Sequence, residues 1–164
     1  MPKLLNVNFD IVKEDWGKLD GFGLYFHVAN LVWSSFSDKE AEISIRLTDK
    51  LEMRTLNKKW RDQDTETNIL AFPNFKERFH NEVSYIGDLL IGYETVLYEA
   101  DISNIPLVNH MSHLIIHGVL HLLEFDHESK KEETKMRKIE KNILKSVGIP
   151  DPYIVNQGYL YVKK

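Results

Sequence analysis

The stretch that decides the fold covers residues 104–127 and reads NIPLVNHMSHLIIHGVLHLLEFDH. Its apolar residues recur around most of the circumference of a helix, and Pro106 suits the first helical turn. We therefore predict a helix over residues 104–125 that is buried on nearly every side and lies at the centre of the domain.

Four of the seven histidines of the chain fall in this predicted helix, at spacings of three, four and four residues. They are His110, His113, His117 and His121. At about 100° per residue the four side chains share an arc of roughly 80°. Unpaired polar groups cost free energy in a core, so this stripe of imidazoles needs partners. For His110 and His113 we expect hydrogen-bonded core histidines, with a place in the lining of a pocket as the alternative.

Two of these histidines have the spacing of metal ligands. His117 and His121 lie one turn apart, about 6 Å along the helix axis, so both imidazoles can reach one ion. His127 follows the expected helix end and can turn back as a third ligand. Three protein ligands leave a fourth position for water, as in catalytic zinc sites. Asp126 is either a carboxylate that supports this site or a turn residue.

The composition narrows the choice of metal and of reaction. The chain has no cysteine, so a transition-metal site has to use imidazole or carboxylate. We predict one divalent ion used for hydrolysis, with zinc preferred over nickel, copper or iron. Zinc peptidases carry a glutamate after the first histidine, where this chain has Gly118, so peptidase chemistry is disfavoured. Gly118 instead leaves room beside the ion or lets the helix pack closely.

The whole chain of 164 residues suits one α+β domain over residues 1–164, with a small mixed sheet of about four strands and about five helices. We expect strands at residues 4–10, 41–48, 67–73 and 84–92, further helices at 21–33, 50–60, 93–100 and 132–147, and a loop at 74–83. No apolar run spans a membrane, and no secretory signal begins the chain, so we expect a cytoplasmic protein. The net charge of −4 argues against binding nucleic acid through bulk charge, but a local basic patch remains possible.

Residues 117–127, HGVLHLLEFDH, resemble the signature of the YbeY family of bacterial endoribonucleases and ribosomal RNA maturation factors. Further segments resemble blocks of the same family in the same order. They are LNKKWR at 56–61 with TNILAFP at 67–73, IGDLLI at 86–91 and GIPDPY at 148–153. The resemblance extends over roughly residues 42–153.

This resemblance implies a function and a site. It maps His117, His121 and His127 onto the metal ligands of the family, and Arg61 onto an arginine that acts near the metal. It implies a metal-dependent endoribonuclease that prefers single strands, with precursor ribosomal RNA as substrate and the ribosome as partner. Arg61 would hold a phosphate through its planar guanidinium. Its alternative roles are a surface charge or an ion pair with a nearby aspartate.

Several other residues of the region that resembles the family could have either a functional or a structural role. Lys50, Arg54, Lys58 and Arg61 share one side of their helix and could follow an RNA backbone, or form a solvated face. Asp88 could orient a ligand, contact the sugar or serve structure at a strand end. Asn68 could bind backbone or substrate, or form a turn, and we expect Trp60 in the core.

The family usually has a glycine at the position of Glu124. Glycine there favours a left-handed backbone turn before His127. It could act as an acid or base, or be a solvent-facing carboxylate.

Two other functions stay open. The chain could be a metal-dependent hydrolase of another substrate, such as a peptide or small ester. It could also be a non-catalytic ribosome-assembly factor with a structural metal. A protein side chain in the fourth coordination position would favour the structural role.

Overall fold

The computed structural model describes residues 4–74 and 83–154, which contain four strands and five α-helices. The strands are β1 (Leu5–Ile11), β2 (Ala41–Thr48), β3 (Ile69–Pro73) and β4 (Ser84–Gly92). The helices are α1 (Phe22–Ser34), α2 (Lys50–Arg61), α3 (Tyr93–Ile102), α4 (Leu107–Leu122) and α5 (Lys130–Ser146). A 3-10 helix at Glu14–Lys18 was not predicted. The α+β class and the numbers of strands and helices are confirmed, although the loop at 74–83 lies mostly outside the described residues.

The strands form one mixed sheet in the order β1-β2-β4-β3. Strands β1, β2 and β4 are parallel to one another, and β3 pairs antiparallel with β4 at the edge of the sheet. Successive side chains of a strand face opposite sides of a sheet. Leu89 on β4 therefore faces α4, where its side chain lies beside Gly118, whereas Leu90 packs with Met53 of α2. The central helix and α2 accordingly cover opposite faces of the sheet.

Helix α4 lies at the centre, as predicted. It contacts α1, α3, α5, β3 and β4, and every residue from His110 to Leu120 is buried. A Cβ atom added to Gly118 would lie 2.8 Å from side-chain atoms of Ile69 and Leu89. Gly118 thus allows the helix to approach the sheet closely, which confirms one of its two expected roles.

The end of α4 differs from the prediction by three residues, because the helix stops at Leu122 instead of residue 125. The Phe125 N–H donates to Leu120 O and the Glu124 N–H to His121 O, each at 3.0 Å. Those two bonds are the Schellman pattern, in which the residue usually occupied by glycine is left-handed. Glu124 adopts this conformation, with φ of +73°. The left-handed turn that the family resemblance implied is therefore present.

The prediction that Trp60 lies in the core is wrong, because 61% of its surface is exposed. Residue 60 continues the stripe of Met53 and Asn57, the buried residues of α2. The last turn of α2, however, lies at the edge strand β3. There the Phe72 ring contacts the indole edge-on, with 6.4 Å between ring centroids. None of the helices in the described ranges is long and apolar enough to cross a membrane.

Candidate metal centre

The structure brings His117, His121 and His127 together. One ligand atom from each residue lies within 4.8 Å of the other two. The ring of His127 lies 5.6 Å from that of His117 and 5.2 Å from that of His121, between centroids. Helix α4 supplies the first two histidines, and the turn at Glu124 redirects the chain so that His127 returns to them.

Hydrogen bonds determine which nitrogen of His117 and which nitrogen of His121 can bind a cation. His121 Nδ1 lies 2.9 Å from the Phe125 carbonyl oxygen, which only accepts, so Nδ1 carries the proton. His117 Nδ1 lies 3.1 Å from Glu140 Oε2 and donates to it in the same way. The two Nε2 atoms therefore carry lone pairs in the neutral imidazoles, and they lie 2.9 Å apart. Two lone pairs this close repel each other, whereas a shared cation attracts both, so this donor set fits one metal ion.

The protonation states also suit a metal site. Burial, together with the neighbouring histidines, lowers the pKa of His121 to about 3. Burial lowers the pKa of His117 as well, and a hydrogen bond from its ring to Glu140 opposes this only in part. Both imidazoles are thus neutral at neutral pH, the form in which histidine binds metals.

Glu140 of α5 is a buried partner of the histidines that the sequence analysis missed. It is 1% exposed, and Oε1 lies 2.7 Å from His113 Nε2. The same oxygen accepts from the Tyr153 hydroxyl at 2.5 Å. Burial would raise the pKa of Glu140, but hydrogen bonds from His113 and His117 outweigh it and hold the pKa below its usual range. Metal-bound histidines typically donate their second N–H to such a carboxylate.

A signal for Glu140 was present in the sequence. Met136, Glu140 and Ile143 are spaced four and three residues apart, so the carboxylate lies in the apolar stripe of α5. An acidic residue in such a stripe is seldom buried without a partner. Its partners, at 113, 117 and 153, are too distant along the chain for any local pattern to indicate them.

The other two histidines of α4 are hydrogen-bonded core residues, as expected. His110 Nε2 lies 3.0 Å from Glu99 Oε1, and His113 belongs to the Glu140 network. The amide of Asn68 also bonds Glu99, at 3.2 Å from Oε1, and its own carbonyl oxygen accepts from the Ile69 N–H. These bonds hold the Asn68 side chain in place, and Asn68 also lines the pocket of the three metal-ligand candidates.

The three histidines line an open pocket of about 400 Å³. Its walls include Arg61 and Gly118. Three carboxylate side chains also line it, and they are Glu124, Asp126 and Glu128. Glu124 therefore lies at the pocket, one of its two expected positions. The Asp126 Oδ1 accepts from the His127 N–H at 2.7 Å, and its carboxylate lies in the same pocket lining.

Arg61 is held at this pocket by the edge strand. Its Nη2 atom donates to Ala71 O at 2.9 Å, and the guanidinium carbon lies 5.9 Å from the centroid of Phe72. Asp64 pairs with Arg54 at 2.9 Å and with Lys58 at 3.8 Å. The basic strip predicted for α2 is thus partly neutralised, while Arg61 lines the pocket.

Asp88 lies away from the metal centre. It accepts a hydrogen bond from the Tyr85 hydroxyl, and it lines a groove with Trp60 and Phe72. Its neighbour Leu89 faces α4, so Asp88 faces the opposite side of the sheet. A role in orienting a metal ligand is therefore excluded for Asp88.

Comparisons with known proteins agree with this picture. A family described as Endoribonuclease YbeY matches residues 25–148. Endoribonuclease YbeY of Bradyrhizobium sp. (strain BTAi1) is 44% identical over 118 residues, which cover 70% of either chain. Endoribonuclease YbeY of Bartonella bacilliformis is 33% identical over 156 residues, 92% of this chain and 98% of that protein. The solution structure of TM1509 from Thermotoga maritima shares the fold, with a TM-score of 0.54 and 21% identity over 87% of this chain and 91% of that one.

Proposed function

Because the chain belongs to the YbeY family of endoribonucleases, we propose that it cleaves single-stranded RNA in a metal-dependent reaction of ribosomal RNA maturation. The observation that carries the proposal is the convergence of three histidines in an open pocket that Arg61 also lines. The ribosome as partner and the cytoplasm as the site of action belong to the same proposal and rest on the family.

We propose zinc as the metal, held by His117, His121 and His127. Neutral imidazoles and a chain without cysteine suit zinc, which binds three protein ligands at catalytic sites. When bound, such an ion supplies Lewis acidity toward a phosphoryl oxygen and lowers the pKa of water. Glu140 would keep His117 in the correct tautomer and orientation, and the Phe125 carbonyl would do the same for His121.

Arg61 would bind the scissile phosphate. A guanidinium group has five N–H donors, and the bond to Ala71 O uses one of them. That bond restrains the side chain at the pocket, so less conformational freedom has to be lost when a phosphate arrives. Donors held in place for a developing negative charge stabilise the transition state more than the ground state.

The two alternative functions are less well supported. Gly118 occupies the position of the peptidase glutamate and cannot accept a proton, which disfavours peptide hydrolysis. A purely structural metal would be enclosed by four protein ligands. Within the described ranges the group of potential ligands has three members, which leaves a position for solvent or substrate.

The test combines metal analysis with cleavage of a structured RNA by three variants. We expect His121→Ala to lose the metal and the activity. Arg61→Ala should keep the metal but cleave about 100- to 1000-fold more slowly, the usual effect of losing one preorganised donor. Arg54→Ala is the matched control, because Arg54 lies on the same helix but pairs with Asp64.

Two outcomes would contradict the proposal. Cleavage by Arg61→Ala at the rate of the wild type would remove Arg61 from the mechanism. A metal-loaded wild type that hydrolyses peptides but no RNA would exclude the endoribonuclease activity.

A further inference from the structure

Trp60 is an exposed tryptophan next to the proposed active site. The other two tryptophans of the chain, Trp16 and Trp33, are buried, whereas 61% of the Trp60 surface is accessible. The Lys59 ammonium lies 5.0 Å from its ring centroid, and Phe72 contacts it edge-on. A large aromatic ring left in water beside a second aromatic ring is typical of a binding surface.

This ring forms one side of a groove on the sheet face opposite α4. The groove has a volume of about 580 Å³, and its apolar lining comes from Trp60, Phe72, Leu56 and Leu90. Its polar lining comes from Asp10, Ser44, Arg46 and Asp88. An apolar floor with polar groups around it suits a flat molecule with apolar faces and hydrogen-bonding edges, such as a nucleobase.

The charges of the groove favour a base over a phosphate. Arg46 is already paired with Asp10 and with Glu52, so it is engaged by carboxylates. The carboxylates of Asp10 and Asp88 would repel a phosphate inside the groove but can accept hydrogen bonds from amino groups of bases. Positive charge lies outside it, on the last turn of α2, which carries Lys58, Lys59 and Arg61.

The groove adjoins the metal pocket across the edge strand β3. Ala71 lines the metal pocket and the next residue, Phe72, lines the groove. Likewise Arg61 lines the pocket and Trp60 lines the groove. The Arg61 guanidinium contacts a residue of the pocket and a residue of the groove. It donates to Ala71 O at 2.9 Å and lies 5.9 Å from the centroid of the Phe72 ring. A nucleic acid strand that crosses the sheet edge at Arg61 would pass directly from one site to the other.

We propose that Trp60 is a stacking platform for an unpaired nucleobase of the RNA whose phosphate lies at Arg61. The inference rests on the proposed function and adds a base-binding subsite to it. An unpaired base can leave its neighbours and place a face on the indole, whereas a base in a duplex is already stacked and paired. The subsite therefore provides a physical reason for selecting single strands.

Tryptophan fluorescence tests this subsite in the metal-loaded protein. A short single-stranded 2′-O-methyl RNA oligonucleotide serves as the probe, and gel electrophoresis after each titration checks that it is intact. We expect the oligonucleotide to quench the emission of the exposed tryptophan and protect it from acrylamide, with no such change for a duplex of the same sequence. In Trp60→Phe this signal should be absent, while binding measured by anisotropy of a labelled oligonucleotide stays near that of the wild type.

Trp60→Ala should bind the same oligonucleotide about 5- to 150-fold more weakly, the usual effect of losing one stacking ring. Tyr98→Ala is the matched control, because Tyr98 is 64% exposed on α3 and lines neither the pocket nor the groove. If Trp60→Ala binds and cleaves RNA as well as the wild type, the stacking proposal fails and the proposed function stands. If the metal-loaded wild type binds no RNA, both fail.

Discussion

At the scale of single residues, we propose that the metal centre depends on Glu140 as well as on the histidines. This carboxylate joins His117, His113 and the Tyr153 hydroxyl in one buried network. It is therefore the group that sets the proton position on His117 and the direction of its Nε2 atom. Replacing one oxygen by an amide nitrogen would leave the shape unchanged but remove the charge and one acceptor.

We expect Glu140→Gln to weaken zinc binding about 10- to 100-fold, the usual effect of losing a carboxylate behind a metal-bound histidine. Competition with a chromophoric chelator would measure the dissociation constant. Glu133→Gln is the control on the same helix, since Glu133 forms a surface pair with Arg137. Equal zinc affinity in Glu140→Gln and the wild type would show that Glu140 does not orient His117.

At the scale of secondary-structure elements, the end of α4 determines where His127 lies. The helix stops at Leu122, and the left-handed Glu124 directs the chain back toward the site. A side chain in this conformation costs about 1–2 kcal/mol relative to glycine, although glycine loses more entropy on folding. The chain therefore carries backbone strain next to its proposed active site.

We expect Glu124→Gly to raise the free energy of unfolding by up to about 1 kcal/mol, since relief of strain exceeds the entropic cost of glycine. Urea denaturation would measure the change. Glu128→Gly provides the comparison, because Glu128 also lines the pocket but is not among the residues with positive φ. If both variants change the free energy of unfolding by the same amount, backbone strain at residue 124 has no measurable effect on stability.

At the scale of the whole molecule, the histidines buried in α4 make stability depend on pH. Burial lowers the pKa of His110, His117 and His121, in the last case to about 3. In the unfolded chain these groups take up protons near pH 6.5, whereas in the folded protein they do so only at lower pH. Below pH 6.5 the unfolded state therefore binds more protons, and stability is lost as the pH falls.

For the metal-free protein we expect the free energy of unfolding to fall between pH 7 and pH 5, by about 2 kcal/mol from His121 alone, since its folded pKa lies below this range. Glu140 acts in a lower range, because its pKa is below the usual 4.5 and its contribution is lost only as the pH falls below that value. Denaturant titrations at the two pH values measure the change. Constant stability over this range would show that the histidines are not held neutral in the folded state.

The sequence analysis identified those features whose signals are local. The apolar circumference of α4, the spacing of His117 and His121, and the alternation in β2 are each contained within one element, so periodicity identified them. Glu140 and the exposure of Trp60 depend on which elements pack together. Glu140 contacts residues that are 13 to 27 positions away. Periodicity within α2 could not show that its last turn lies at the edge strand of the sheet.

The convergence of three histidines on one ion is tested most directly by X-ray absorption at the zinc edge of the zinc-loaded protein. The arrangement of His117, His121 and His127 predicts three imidazole nitrogens at about 2.0–2.1 Å and one oxygen from solvent. His127→Ala should show one imidazole fewer. A wild-type spectrum with fewer than three imidazoles, or with a fourth ligand from the protein, would contradict an open three-histidine site.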